Sequence, residues 1–135
     1  SSQFFADALD KNKLKPTKGV DAAVTYHDPC HLGRHMGVYD EPRDLLKKIP
    51  GLKLVEMPRS RQNSWCCGAG GGVKSAFPDF TISTALERLK EAEAVGVKKI
   101  VSTCPFCKRN LADATKLLGN TFEVYDVVEL LSEAI

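Results

Sequence analysis

No stretch of this sequence reaches the roughly 18 uninterrupted apolar residues that mark a membrane-crossing helix. Its start lacks the basic, apolar, then small-residue order of an export signal. Neither sign of charge dominates: 19 basic and 17 acidic residues leave a formal charge of +2. The basic residues are interspersed, with no basic stripe carrying aromatics, so nucleic acid is not an expected partner. Internal repeats and low-complexity stretches are absent as well. What remains is an ordinary globular composition, 43% hydrophobic over 135 residues, enough for the core of one domain. Disulfides are not needed to rescue a chain of this size. An initiator Met is missing too: the chain opens on Ser1-Ser2-Gln3-Phe4-Phe5 and is expected to be a piece of a longer protein.

Against this plain background stand five cysteines: Cys30, the adjacent Cys66 and Cys67, then Cys104 and Cys107. The count is odd, and neighbouring cysteines rarely reach disulfide geometry. A secreted disulfide framework is therefore a poor account, and a reducing compartment with thiolate ligands a better one. Thr103-Cys104-Pro105-Phe106-Cys107 is a CxxC, a spacing at which two thiolates chelate one metal ion or cluster edge. The doublet runs straight into Gly68-Ala69-Gly70-Gly71-Gly72, a backbone able to approach a bulky inorganic group because its glycines carry no Cβ.

The coarse pattern alternates helix and strand. Residues 2–9 have helical periodicity, and 11–19, with Pro16, read as a connection, so residues 1–20 form an N-terminal helix and linker ahead of the main body, 21–135. Strands are expected at 22–26, 52–57, 99–102 and 122–125. Helices are expected at 41–49, 80–95, 105–118 and 127–134, the last capped by Asp126. Such alternation implies parallel strands joined by helical crossovers, an α/β Rossmann-like three-layer domain with about four parallel strands. Cys30, the doublet and Cys104 each follow a strand. In an open parallel sheet those loops leave the carboxyl edge, where ligands bind. Cysteines far apart in sequence are thus expected to meet on one face.

Iron–sulfur clusters are held by thiolates, usually four. Cys104 and Cys107 sit at a helix start, which favours the thiolate. Cys66 and Cys67 point in different directions along extended backbone and can ligate two metal atoms of one cluster, and Cys30 closes the site. On ligand type alone zinc stays open, since thiolates suit both.

The cysteine pattern and its flanks, Tyr26-His27-Asp28-Pro29-Cys30-His31-Leu32-Gly33-Arg34, then Trp65-Cys66-Cys67-Gly68-Ala69-Gly70-Gly71-Gly72, then Ser102-Thr103-Cys104-Pro105, resemble the CCG (cysteine-rich) domain family over about residues 20–118. The family includes catalytic subunits of CoB–CoM heterodisulfide reductase, related sulfur-metabolism subunits, and iron–sulfur subunits of glycolate and lactate oxidation. The complete set of five is most like the heterodisulfide reductase branch, the C-terminal domain of its D subunits above all. The resemblance implies a noncubane [4Fe-4S] cluster on Cys30, Cys66, Cys67, Cys104 and Cys107, where a disulfide substrate is reduced. It implies partners too: a second CCG domain and a ferredoxin-like segment in the same polypeptide, and a membrane or electron-donor subunit. A cytoplasmic location follows, free or on the inner face of the membrane through that partner. The isolated piece is expected to be inactive.

Disulfide cleavage needs protons, and His31, directly after Cys30, is the best-placed donor in sequence. His27 and Asp28 read as shaping the turn before Cys30. Arg34, Arg59, Arg61 and Lys74 flank the cysteine loops; each singly reads first as solvated basic surface, and together they suit an anionic substrate tail. The glycine run lacks the Lys-Ser ending of a phosphate loop, so a nucleotide is not expected. Trp65 reads as a water screen for the cluster or as core. Two other functions compete with disulfide reduction: electron relay in a quinone-linked oxidoreductase, and a zinc-binding structural module.

Overall fold

The computed structural model describes residues 2–135. Its centre is a four-stranded, all-parallel sheet of β1 (Ala22–Tyr26), β2 (Leu52–Leu54), β3 (Lys99–Ser102) and β4 (Glu123–Asp126), in the order β2-β1-β3-β4. The α/β layered architecture expected from the alternation is present. Alternation along each strand sends side chains to opposite faces. Val24, Tyr26 and Val101 enter one core with Leu45, Leu46, Leu130 and Leu131. Ile100 enters the other with Ala85, Leu89 and Leu111. The first core is closed by α1 (Ser2–Asp10), α2 (Asp40–Lys47) and α6 (Val127–Ala134), the second by α4 (Pro78–Ala94) and α5 (Pro105–Leu117). Leu45 and Leu46 are wholly buried, and each such side chain contributes about 1.5–3 kcal/mol.

The helix ends follow local chemistry. Pro78 and Pro105 start α4 and α5, where a missing N–H costs nothing. Gly96, at φ 78°, ends the first of these. Asp126 caps α6 as expected and does so reciprocally: its carboxylate accepts from Val128 N at 2.9 Å, and Glu129 accepts from Asp126 N at 2.8 Å. No helix among the described residues is long and apolar enough to cross a membrane.

Some boundaries differ from expectation. β2 stops at Leu54, not Met57, because it is an edge strand whose register with β1 ends at Val24. Beyond it Glu56 turns to Arg43 and Met57 drops into the second core. A π-helical turn, His31–His35, follows Cys30, a 3₁₀ turn occupies Arg61–Asn63, and a one-turn helix, α3 (Val73–Ala76), follows the glycine run. The N-terminal helix and its connection pack on the rest: Leu9 is part of the first core, and Thr17 N donates to Ala134 O at 2.8 Å.

Strand order fixes where a ligand goes. From β1 the chain runs one way to β2, then returns to the other side for β3 and β4. A crevice therefore opens between the carboxyl ends of β1 and β3, the switch point at which open α/β sheets bind ligands. Tyr26, last in β1, and Thr103, just past β3, bridge its floor with hydroxyls 3.0 Å apart.

Candidate metal centre

All five cysteines and His31 line one cavity of about 880 Å³ at that crevice. None of the cysteines is disulfide-bonded. Cys30 comes from the loop after β1, Cys66 and Cys67 from the long loop after β2, Cys104 and Cys107 from the start of α5. The expected convergence is therefore met. Cys67 and Cys107 form the buried floor with Ala69, Cys104 packs against them, and Cys66 is exposed at the opening. Met36 and Phe106 stand exposed on the rim.

Electrostatics favour the thiolate at Cys67 and at Cys104. Cys67 is pushed far below the ordinary thiol range, first by donation from Cys107 and then from Cys66; burial opposes this, and His27 and the Ala69 N–H add to it. Cys104 is lowered to about 6, chiefly by Cys107, with burial opposing and the first N–H groups of α5 assisting. The donors move the other way: Cys107 is raised by its contacts with Cys104 and Cys67, and Cys66 by its contact with Cys67. Thiol donors of this softness, two of them held below the ordinary range, in a cavity open to solvent on one side, fit an iron–sulfur cluster and fit zinc as well.

The loop after β2 is pinned from several sides. Asn110, buried on α5, donates to Cys67 O at 2.6 Å and Thr81 O at 3.0 Å, and accepts from Lys74 at 2.6 Å. Gly68 sits at φ 87° against α4, where a Cβ would lie 2.9 Å from Thr84 Cβ and 3.0 Å from Thr81 O. Its freedom thus serves packing against the protein, which corrects part of the sequence reading. Within the run it is Gly70, Gly71 and Gly72 that leave open space, and these do line the cavity.

Several flanking residues have other employment. Arg34 donates to Gln62 O and Ser64 O, Arg61 pairs with Asp40, and Arg59 pairs with Glu87 and Glu91 and stacks on Trp65. None of these three lines the cavity; Lys74 does, joined by Arg109, which carried no sequence signal. Trp65 does not line the cavity: its Nε1 donates to Thr84 O, and Arg59 stacks on its ring.

His27 is the main omission of the sequence reading. Beyond its place in a turn, it is buried, and one of its ring nitrogens lies within 4.8 Å of the sulfurs of both Cys67 and Cys107. Its Nδ1 accepts from Arg88 Nε at 3.1 Å. Burial, the largest influence, holds its pKa below the ordinary value. The available signal was Arg88 itself, a charge on the stripe of α4 that also carries Thr81, Ala85 and Ala92.

Comparison with known families now decides the affiliation. The model of the cysteine-rich domain, CCG, matches residues 24–112. The chain belongs to the CCG cysteine-rich domain family. Among its relatives is the D subunit of the dihydromethanophenazine:CoB–CoM heterodisulfide reductase of Methanosarcina mazei, 49% identical over 99% of this chain and 33% of the relative. The B subunit of the fumarate reductase (CoM/CoB) of Methanothermobacter marburgensis is 42% identical over 98% of the chain and 26% of the relative. The probable iron-sulfur-binding oxidoreductase FadF of Bacillus subtilis is 40% identical over 99% and 19%. The chain spans about a third of the length of the M. mazei relative.

Proposed function

We propose that this CCG domain is the cluster-bearing part of a heterodisulfide-reductase-like oxidoreductase. In this reading Cys30, Cys66, Cys67, Cys104 and Cys107 hold a noncubane [4Fe-4S] cluster, and the substrate is a disulfide. The observation that supports it most is the convergence of all five thiols on one cavity at the sheet's switch point. Relatives named as subunits of reductases support partner subunits, taken here as an electron-donor or membrane protein, alongside a second CCG domain and a ferredoxin-like segment in the same polypeptide.

Reduction follows RSSR + 2e⁻ + 2H⁺ → 2 RSH. When bound, the cluster supplies electrons one at a time; the chain's own residues do the rest. Cys67 and Cys107 bind from the buried floor, and the exposed Cys66 faces the opening through which a substrate enters. His31, exposed at the cavity wall beside Cys30, holds a proton for the departing thiolate. Arg109 gives the wall a positive side suited to an anionic tail, while Lys74 beside it is already paired with Asp113 at 2.9 Å.

The test is addition of a disulfide, or of its thiol, to the oxidised, cluster-loaded protein while the paramagnetic spectrum is recorded. A changed spectrum supports direct substrate contact. An intact cluster whose spectrum ignores both compounds favours electron relay, the reading that the relative named EtfAB:quinone oxidoreductase, from Syntrophomonas wolfei, brings forward.

A further inference from the structure

His27, Cys67 and Cys107 are all buried, and their donor atoms lie within 4.8 Å of one another, a spacing compatible with three ligands of one metal ion. The residue behind His27 argues against that use of the imidazole. Arg88 Nε always carries a hydrogen, so at 3.1 Å from Nδ1 it must be the donor and Nδ1 must present a lone pair. A neutral imidazole with a free lone pair on Nδ1 carries its hydrogen on Nε2. That nitrogen has no lone pair for a metal; it has an N–H. Ligating histidines show the opposite arrangement, in which the nitrogen away from the metal donates to a carboxylate or carbonyl. Were Nε2 a ligand, Nδ1–H and Nε–H would oppose each other at hydrogen-bond distance.

The arrangement behind His27 is fixed at every joint. Arg88 is fully buried, and its guanidinium also donates to Glu91 at 2.6 Å, to Arg59 O at 2.7 Å and to Ser64 Oγ at 3.3 Å. Glu91 in turn accepts from Arg59 N at 2.7 Å. His27 N donates to Val101 O at 2.8 Å and its carbonyl accepts from Ser102 Oγ at 3.1 Å, which locks its backbone onto β3. Neither the ring nor Arg88 has room to exchange roles.

We propose that His27 is a positioning residue, not a ligand: it donates its Nε2–H to the Cys67 sulfur, with Arg88 enforcing the tautomer. The proposal rests on Cys67 being a cluster ligand. A hydrogen bond to a ligating sulfur withdraws electron density from it and stabilises the more electron-rich, reduced state of the cluster. Of the two sulfurs within 4.8 Å of the ring, those of Cys67 and Cys107, only that of Cys67 belongs to the doublet, so the chain treats its two adjacent cysteines differently: Cys66 is exposed, and Cys67 is buried beside His27.

Two experiments on the chain test this. In the metal-free protein labelled with ¹⁵N-histidine, long-range ¹H–¹⁵N correlation reads the tautomer, with His27→Gln identifying the signal. A neutral ring with Nε2–H is expected; an Nδ1–H tautomer or an imidazolium overturns the proposal whether or not a cluster ever assembles. After anaerobic reconstitution, His27→Leu should keep its iron and sulfide while its midpoint potential falls, each tenfold loss of reduced over oxidised protein being about 59 mV for one electron. His27→Gln, whose amide can place an N–H near the same point, should lie between the two. Loss of iron from both variants with the sheet intact, or potentials equal to wild type, would refute the role. If the wild-type chain takes up no iron at all, the cluster reading fails and the tautomer still decides the question for His27.

Discussion

Arg43 meets Asp28 fork to fork: its Nη1 and Nη2 lie 2.7 and 2.8 Å from the two carboxylate oxygens, with both side chains only 2% exposed. Asp28 is two residues before Cys30, and its Oδ2 also accepts from Arg61 N at 2.8 Å, on the loop that carries Cys66 and Cys67. One carboxylate thus ties α2 and two cysteine loops together.

Removing Arg43 leaves the buried Asp28 carboxylate without its cation, at a cost of about 3–5 kcal/mol; removing Asp28 costs less, because Arg43 keeps Glu56 Oε1 at 2.6 Å. Arg43→Met should therefore lower the melting temperature by roughly 10–20 °C, and Asp28→Ala by less. The double variant Asp28→Leu with Arg43→Met should lose less than the two single changes combined, because the one carboxylate left without its partner, Glu56, is 40% exposed and hydrated. Single variants that melt within a degree or two of wild type would show that the fork does not hold the fold.

Gly68 and Gly70 offer a paired comparison. Gly68→Ala places a Cβ against α4 at a positive φ and should cost about 1–2 kcal/mol in backbone strain alone, while shifting Cys67 and reducing metal uptake. Gly70→Ala meets nothing within 4 Å and should leave melting unchanged. Equal effects of the two on melting would contradict the packing role of Gly68.

Asn110→Ala removes both donors that hold Cys67 O and Thr81 O. The Thr81 carbonyl keeps its bond within α4, but leaving the buried Cys67 carbonyl unpaired costs about 1–3 kcal/mol. Cys67 should then react faster with iodoacetamide in the metal-free protein, read by mass spectrometry of the peptide. An unchanged Cys67 rate would mean that the loop is held elsewhere.

Acid should weaken the fold through Glu91. Burial favours its neutral form, but Arg59 N–H and Arg88 outweigh that and hold its pKa below the ordinary value. A lowered folded-state pKa contributes stability that is complete above the unfolded value, about 4.3, and is lost as pH falls through the folded one. Melting temperatures between about pH 3 and 7 should fall at the acid end, and less steeply in Glu91→Gln. Parallel curves for the two proteins would remove Glu91 from the explanation.

Much of this was legible in the sequence because it was local. The CxxC at the start of α5, the cap at Asp126 and the placement of each cysteine after a strand all follow from a few neighbouring residues, and parallel topology then brings the loops together. The misses are non-local or very short. The importance of His27 depends on Arg88, 61 residues away, and that of Asp28 on Arg43 and Arg61. The one turn of α3 is too short for any periodicity to show. Arg34, Arg59 and Arg61 resembled a substrate clamp because sequence places them beside the cysteines, whereas their partners turn them into the wall behind the loops.

The most direct test is the count of iron, acid-labile sulfide and zinc per chain after anaerobic reconstitution, with EPR of the oxidised and reduced forms. The expected result is about four iron and four sulfide with a paramagnetic state unlike that of an ordinary cubane, abolished in Cys67→Ser. One zinc per chain with no sulfide would contradict it, leaving a structural metal site and no redox chemistry.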